Sequence, residues 1–165
     1  MKNYLKVIRL AFFFGALTLC FSFTAAEDKT ENPVEAKEVK GNDYIYMTNL
    51  SGSNENPAVS TAAKGKAIVR ISKDESSVYY KIIVQNIDSP SAAHFHMGMP
   101  GMNGPVIVGL YMGGEDGIVN GLLTEGVLTS DDTNISMLIN SIRSGSIYVN
   151  VHTPANPRGE LRGQL

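Results

Sequence analysis

Three shortages shape this sequence. Cysteine occurs once, at Cys20, tryptophan not at all, and histidine only at His94, His96 and His152. One cysteine cannot form an internal disulfide, and thiol catalysis has little to draw on. An excess of either charge is missing too, since 14 basic and 16 acidic residues leave a formal charge of −2. With a sequence pI near 5.9 and no basic patch, nucleic acid is not an expected partner. Catalytic signatures are equally thin. No serine sits in Gly-X-Ser-X-Gly, and the histidines have no nucleophile beside them. The glycine-rich runs at 98–104 and 113–117 lack the strand–loop–helix setting of a phosphate or dinucleotide site. The acidic pairs Asp74-Glu75, Glu115-Asp116 and Asp131-Asp132 fall in turns or at a helix start, and EF-hand spacing is absent.

What is present suits one folded domain: 165 residues, 43% hydrophobic and 18% charged. Residues 1–26 read as a signal peptide. Lys2, Lys6 and Arg9 precede an apolar run from Leu10 to Phe23, and Thr24-Ala25-Ala26 offers small residues for cleavage. That run is short for a bilayer span, so an exported protein (periplasmic, secreted or at the cell surface) with no membrane span in its mature form is expected. A lipid anchor at Cys20 is disfavoured by the bulky Leu19 ahead of it. Residues 27–42, rich in Glu, Lys and Asn, read as a polar linker.

From Tyr44 onward, short apolar stretches alternate with turn residues. Strands are expected at Tyr44–Leu50, Lys66–Ser72, Val78–Ile87, Pro105–Tyr111 and around Gly121–Val127. Only Asp131–Arg143 carries a helical period, with Ile135, Leu138, Ile139 and Ile142 on one face. Ser130 or Asp131 is the expected cap of its start, and Gly145 its terminator. The predicted architecture is all-β: an antiparallel β-sandwich or Greek-key barrel with one short amphipathic helix near the C-terminus.

The chemistry lies in two stretches, His94-Phe95-His96-Met97-Gly98-Met99-Pro100-Gly101-Met102 and Tyr148-Val149-Asn150-Val151-His152. Residues two apart on a strand share a face, so His94 and His96 project together while Phe95 points into the core. In the final hairpin, setting Val151 opposite Leu161 makes the apolar faces coincide and places Glu160 beside His152. Three imidazoles with an open position suit zinc or copper. Glu160 is then the expected carboxylate behind His152, with Arg158 and Arg162 as competing partners for it. Met97, Met99 and Met102 would add thioethers favouring Cu(I). In the competing reading the same imidazoles simply bond loop carbonyls and side chains, and the methionines fill gaps.

Leu50-Ser-Gly-Ser-Asn-Glu-Asn-Pro57, His94-Phe-His-Met-Gly98 with Asn103-Gly-Pro-Val106, and Tyr148-Val-Asn-Val-His-Thr153 through Gly159-Glu-Leu-Arg-Gly163 closely resemble the CHRD (chordin-type) domain. The resemblance implies a β-rich extracytoplasmic domain over residues 43–165 and carries no defined catalytic activity with it. The expectation is therefore a non-catalytic binding or structural module whose partner is an unknown protein or a metal ion. Two alternatives stand beside it. One is a small copper-dependent redox enzyme loosely similar to copper–zinc superoxide dismutase, although that family uses more histidines and a disulfide. The other is a protein–protein module with purely structural histidines.

Overall fold

Alternation of side chains along extended backbone decides most of this fold. A computed structural model describes residues 37–38 and 44–165, except residue 115. The expected signal peptide with Cys20, and most of the linker, lie outside these residues. The strands are β1 (Lys37–Glu38), β2 (Tyr44–Ser51), β3 (Lys64–Ile71), β4 (Val78–Asp88), β5 (Ala92–Met97), β6 (Val106–Met112), β7 (Ile118–Leu128), β8 (Ile147–His152) and β9 (Leu161–Gln164). Helix α1 (Ile135–Arg143) precedes β8. All pairings are antiparallel, in the order β6-β5-β8-β9-β2-β3-β4-β7, with β1 pairing β2 off this path. The all-β class with one helix is as the sequence predicts. β1 is an addition, because the linker composition gave no strand signal.

The sheet curls into a nearly closed barrel. Its end strands β6 and β7 approach each other, and the Leu110 carbonyl of β6 accepts hydrogen bonds from Thr124 Oγ1 (3.0 Å) and the Tyr80 hydroxyl (3.1 Å). Inside, the predicted faces hold. Ala67, Val69 and Ile71 of β3, Phe95 of β5, and Ile147, Val149 and Val151 of β8 are all buried at 0–1% exposure. Burying each of the larger of these contributes about 1.5–3 kcal/mol, which fixes the register, since a one-residue slip would turn the whole set to solvent. Helix α1 adds Leu138, Ile139 and Ile142 to the same core.

The helix starts at Ile135, the first residue of its apolar face, and not at the expected Asp131. Asn134, not Ser130 or Asp131, is the cap, its side chain accepting the Met137 N–H at 3.0 Å. Asp132 is committed to the preceding turn, where it accepts the Thr129 N–H at 2.9 Å. Gly145 ends the helix with φ +69°, as expected. Asn134→Ala should therefore cost about 1 kcal/mol in denaturant unfolding, against about 0.5 kcal/mol or less for Asp131→Ala. Equal losses would mean that the cap is misassigned.

The polar face of β8 is also covered. Tyr148 and Asn150 are 3% and 2% exposed, and on neighbouring β9 Arg162 and Gln164 are 2% and 7% exposed. The chain packs apolar residues on one side of these strands and a buried polar layer on the other.

Candidate metal centre

Register brings the three histidines together. β5 pairs with β8 so that His94 opposes Asn150, His96 opposes Tyr148 and Ala92 opposes His152. All of these side chains share the polar face, so His152 is the diagonal neighbour of His94. One nitrogen from each ring lies within 4.8 Å of the others. The closest pair, His94 Nδ1 and His152 Nε2, is 3.1 Å apart. Ligands about 2.0–2.1 Å from a tetrahedral ion are roughly 3.3 Å apart, so one pair is already in place and the widest gap must close by roughly 1.5 Å.

Two backbone carbonyls set the proton positions. His96 Nδ1 is 3.0 Å from the Gly104 carbonyl and His152 Nδ1 is 3.1 Å from the Pro157 carbonyl. A carbonyl can only accept, so both Nδ1 atoms carry hydrogen and both Nε2 atoms present lone pairs. The His152 lone pair faces His94. The His96 lone pair is buried and has no hydrogen-bond partner among the described residues. An acceptor buried without a partner costs about 1–3 kcal/mol, which a bound ion or hydrogen-bond donor would offset.

All three rings are biased toward the neutral form that ligates metal. Burial is the main cause in each, lowering the pKa of His94, His96 and His152 below the ordinary value. The neighbouring rings lower His94 further. His96 is also lowered by His152 and by the Arg162 guanidinium, against the raising effect of its bond to Gly104. At neutral pH the site holds three uncharged imidazoles.

Stacking and hydrogen bonds tie together the elements behind the rings. His96 stacks on Tyr148, with centroids 4.8 Å apart and planes 10° from parallel, and the Arg162 guanidinium carbon lies 3.6 Å from the Tyr148 ring centre. Arg162 also donates to the Met102 carbonyl (2.8 Å) and Asn103 Oδ1 (3.0 Å), which ties down the loop that supplies Gly104. That loop runs so close to β5 that a Cβ on Gly104 would sit 1.6 Å from the Met97 carbonyl oxygen. Only glycine fits there.

The other expected participants are placed differently. The hairpin register is as predicted, with Val151 opposite Leu161, but Glu160 does not reach the His152 ring. Its oxygens accept instead from Thr61 Oγ1 and Thr153 Oγ1, both at 2.6 Å, and from Asn156 Nδ2 at 3.0 Å. The Pro157 carbonyl takes the role expected of Glu160. Arg162 pairs with the methionine loop, not with Glu160. Met97 packs against the core on the opposite face of β5 from the imidazoles, while Met99 and Met102 are 51% and 60% exposed. Strand alternation thus takes Met97 away from the site. Tyr148, Asn150 and Arg162 flank the imidazoles as well; the shared parity of Tyr148 and Asn150 with His152 is the signal in the sequence that points to the first two.

Residues 46–165, which include every residue of the site, match the family model described as CHRD domain. The chain belongs to the CHRD family. No curated protein and no solved structure matches it. The CHRD domain therefore comprises β2–β9 with α1, and its three histidines lie in two of the blocks that carry the likeness. Among the described residues no helix is long and apolar enough to cross a membrane.

Proposed function

We propose that this CHRD domain is a non-catalytic, exported binding module that holds one transition-metal ion, copper or zinc, through His94, His96 and His152. The observation that carries the reading is the buried Nε2 of His96, without a hydrogen-bond partner among the described residues, in a cluster with two more neutral imidazoles. A metal ion is the partner that satisfies that lone pair and the one on His152 together. The donor set would be His94 Nδ1, His96 Nε2 and His152 Nε2. Only His94 must shift its proton, from Nδ1 to Nε2, so uptake need release none. Gly104 and Pro157 supply the supporting acceptors that orient ligating histidines. Export rests on the N-terminal segment and the family.

Metal analysis of the protein purified from its native compartment, followed by titration with Cu2+ and Zn2+, tests this. One ion per chain is expected, and each single His→Ala variant should weaken binding by about 100-fold or more, beyond the usual effect of losing a supporting residue. If neither metal binds at micromolar concentration, the proposal fails. The His94–His152 hydrogen bond supports a second, architectural reading. It predicts variants that lose stability while wild-type protein takes up no metal.

A further inference from the structure

Asn150 lies directly across the β5–β8 ladder from His94, on the face that carries the imidazoles, and is 2% exposed. Its Nδ2 donates to Glu55 Oε1 at 2.7 Å, which orients the amide. Its Oδ1 is buried and, like His96 Nε2, has no hydrogen-bond partner among the described residues. The ion would satisfy the imidazole. The amide oxygen needs a hydrogen-bond donor, and a bare cation with three nitrogen ligands brings none.

The charges around the site specify that donor further. The three imidazoles are neutral, so a divalent ion would keep its full charge. Among the described residues no carboxylate contributes to the shift of any of the three rings, and the fixed charge that does is the positive one of Arg162, acting on His96. Arg162 is buried, and its hydrogen-bond partners are neutral: the Met99 and Met102 carbonyls and Asn103 Oδ1; the carboxyl in its field, Glu55, is pushed up to about 7 by burial and holds its proton below that pH. A divalent cation beside a buried guanidinium, with neutral ligands, is short of negative charge. Three protein ligands also leave a tetrahedral ion one open position.

We propose that this open position takes a small oxyanion that keeps a proton, hydrogencarbonate, with its anionic oxygen on the ion and its O–H donated to Asn150 Oδ1. The inference rests on the metal reading. Charge alone calls for an anion; the orphaned amide oxygen calls for one that is also a donor. Anions with no proton to give would leave Asn150 as it is.

The test compares hydrogencarbonate with acetate, a carboxylate of the same shape in which a methyl group replaces the O–H. The full-length mature protein is loaded with Co2+, a spectroscopic stand-in for Zn2+, and each anion is titrated at fixed pH while the visible cobalt absorption is followed. Both anions are expected to change the spectrum, with hydrogencarbonate binding about fivefold or more tightly, the worth of one hydrogen bond. In Asn150→Ala the ratio should fall to near one. If that variant does not fold, the wild-type ratio alone decides. Acetate binding as well as or better than hydrogencarbonate, or a cobalt spectrum that responds to neither, overturns this inference and leaves the metal reading standing. A protein that takes up no Co2+, Zn2+ or Cu2+ overturns both.

Discussion

Arg162→Met is expected to lower the unfolding free energy of the metal-free protein by about 2–4 kcal/mol. The substitution keeps much of the side chain's apolar stem, so the loss falls on its head group. Two good hydrogen bonds, to Met102 O and Asn103 Oδ1, disappear together with the stacking on Tyr148. The effect is bounded above because the broken contacts are to neutral groups. The buried Glu55 carboxyl loses the positive charge that lowers its pKa and is held further toward its neutral form, while methionine avoids the cost of desolvating a guanidinium. Arg162→Lys should recover less than half of the loss, since an ammonium neither spans the two acceptors nor stacks flat on the ring. Denaturant unfolding at pH 7 measures both. A cost below about 1 kcal/mol for the methionine variant would mean that the loop from Gly98 to Gly104 holds itself in place without Arg162.

Glu55→Gln should change how stability depends on pH. Burial pushes the Glu55 carboxyl up from 4.5 to about 7, against the lowering effects of Arg162, the Asn150 amide and the Asn56 N–H. Between pH 4.5 and about 7 the folded chain therefore holds a proton that the unfolded chain has released. Stability due to this group is greatest at low pH and declines as pH rises through that window, by on the order of 3 kcal/mol in total. The three histidines act in the opposite sense. Their folded pKa values lie below 6.5, so their contribution is present above pH 6.5 and is lost as pH falls. Glutamine removes the first slope and leaves the second. At pH 8 the variant should be more stable than the parent by about 2–3 kcal/mol. At pH 4.5 the advantage should vanish. Parallel stability curves for the two proteins would contradict a buried, proton-holding Glu55.

Alternation and turn chemistry made much of this fold legible. The inward faces of β3 and β8, the pairing of Val151 with Leu161 and the shared direction of His94 and His96 all follow from a period of two and the need to bury one face. Those same rules bring three histidines onto one face, although the sequence alone could not place β5 beside β8. The misreadings share a physical cause. Glu160 was assigned to its nearest histidine across a hairpin, but its hydrogen-bond partners include Thr61, from a loop far away in sequence. Arg162 looked like a surface charge with acidic company, whereas its partners are loop carbonyls and an aromatic ring, which leave no charge pattern to read. Glu55 lies in a polar stretch, Ser51-Gly-Ser-Asn-Glu-Asn56, that resembles any exposed turn. Its burial is decided by Asn150, 95 residues later. The helix start slipped because Thr129 to Asp132 close a turn of their own, which leaves the cap to Asn134 and not to Ser130 or Asp131. Local rules gave the strands and their faces; the polar layer above them depends on contacts that only the closed barrel creates.

The meeting of β6 and β7 has a consequence for how this protein behaves in a crowd. A sheet that simply stopped at its end strands would offer unpaired backbone to any neighbouring chain, and several apolar side chains near those ends, Val106, Met112, Ile118 and Leu122, are at least 51% exposed. Such a border invites strand-by-strand polymerisation. Here the central carbonyl of β6 is already engaged by Thr124 and Tyr80, and irregular pairing breaks the regularity of both borders. A second molecule finds neither a free acceptor at the middle of β6 nor a flat template to copy. The barrel's seam thus takes one backbone acceptor of β6 out of reach of a second chain, using one hydroxyl of a threonine and one of a tyrosine.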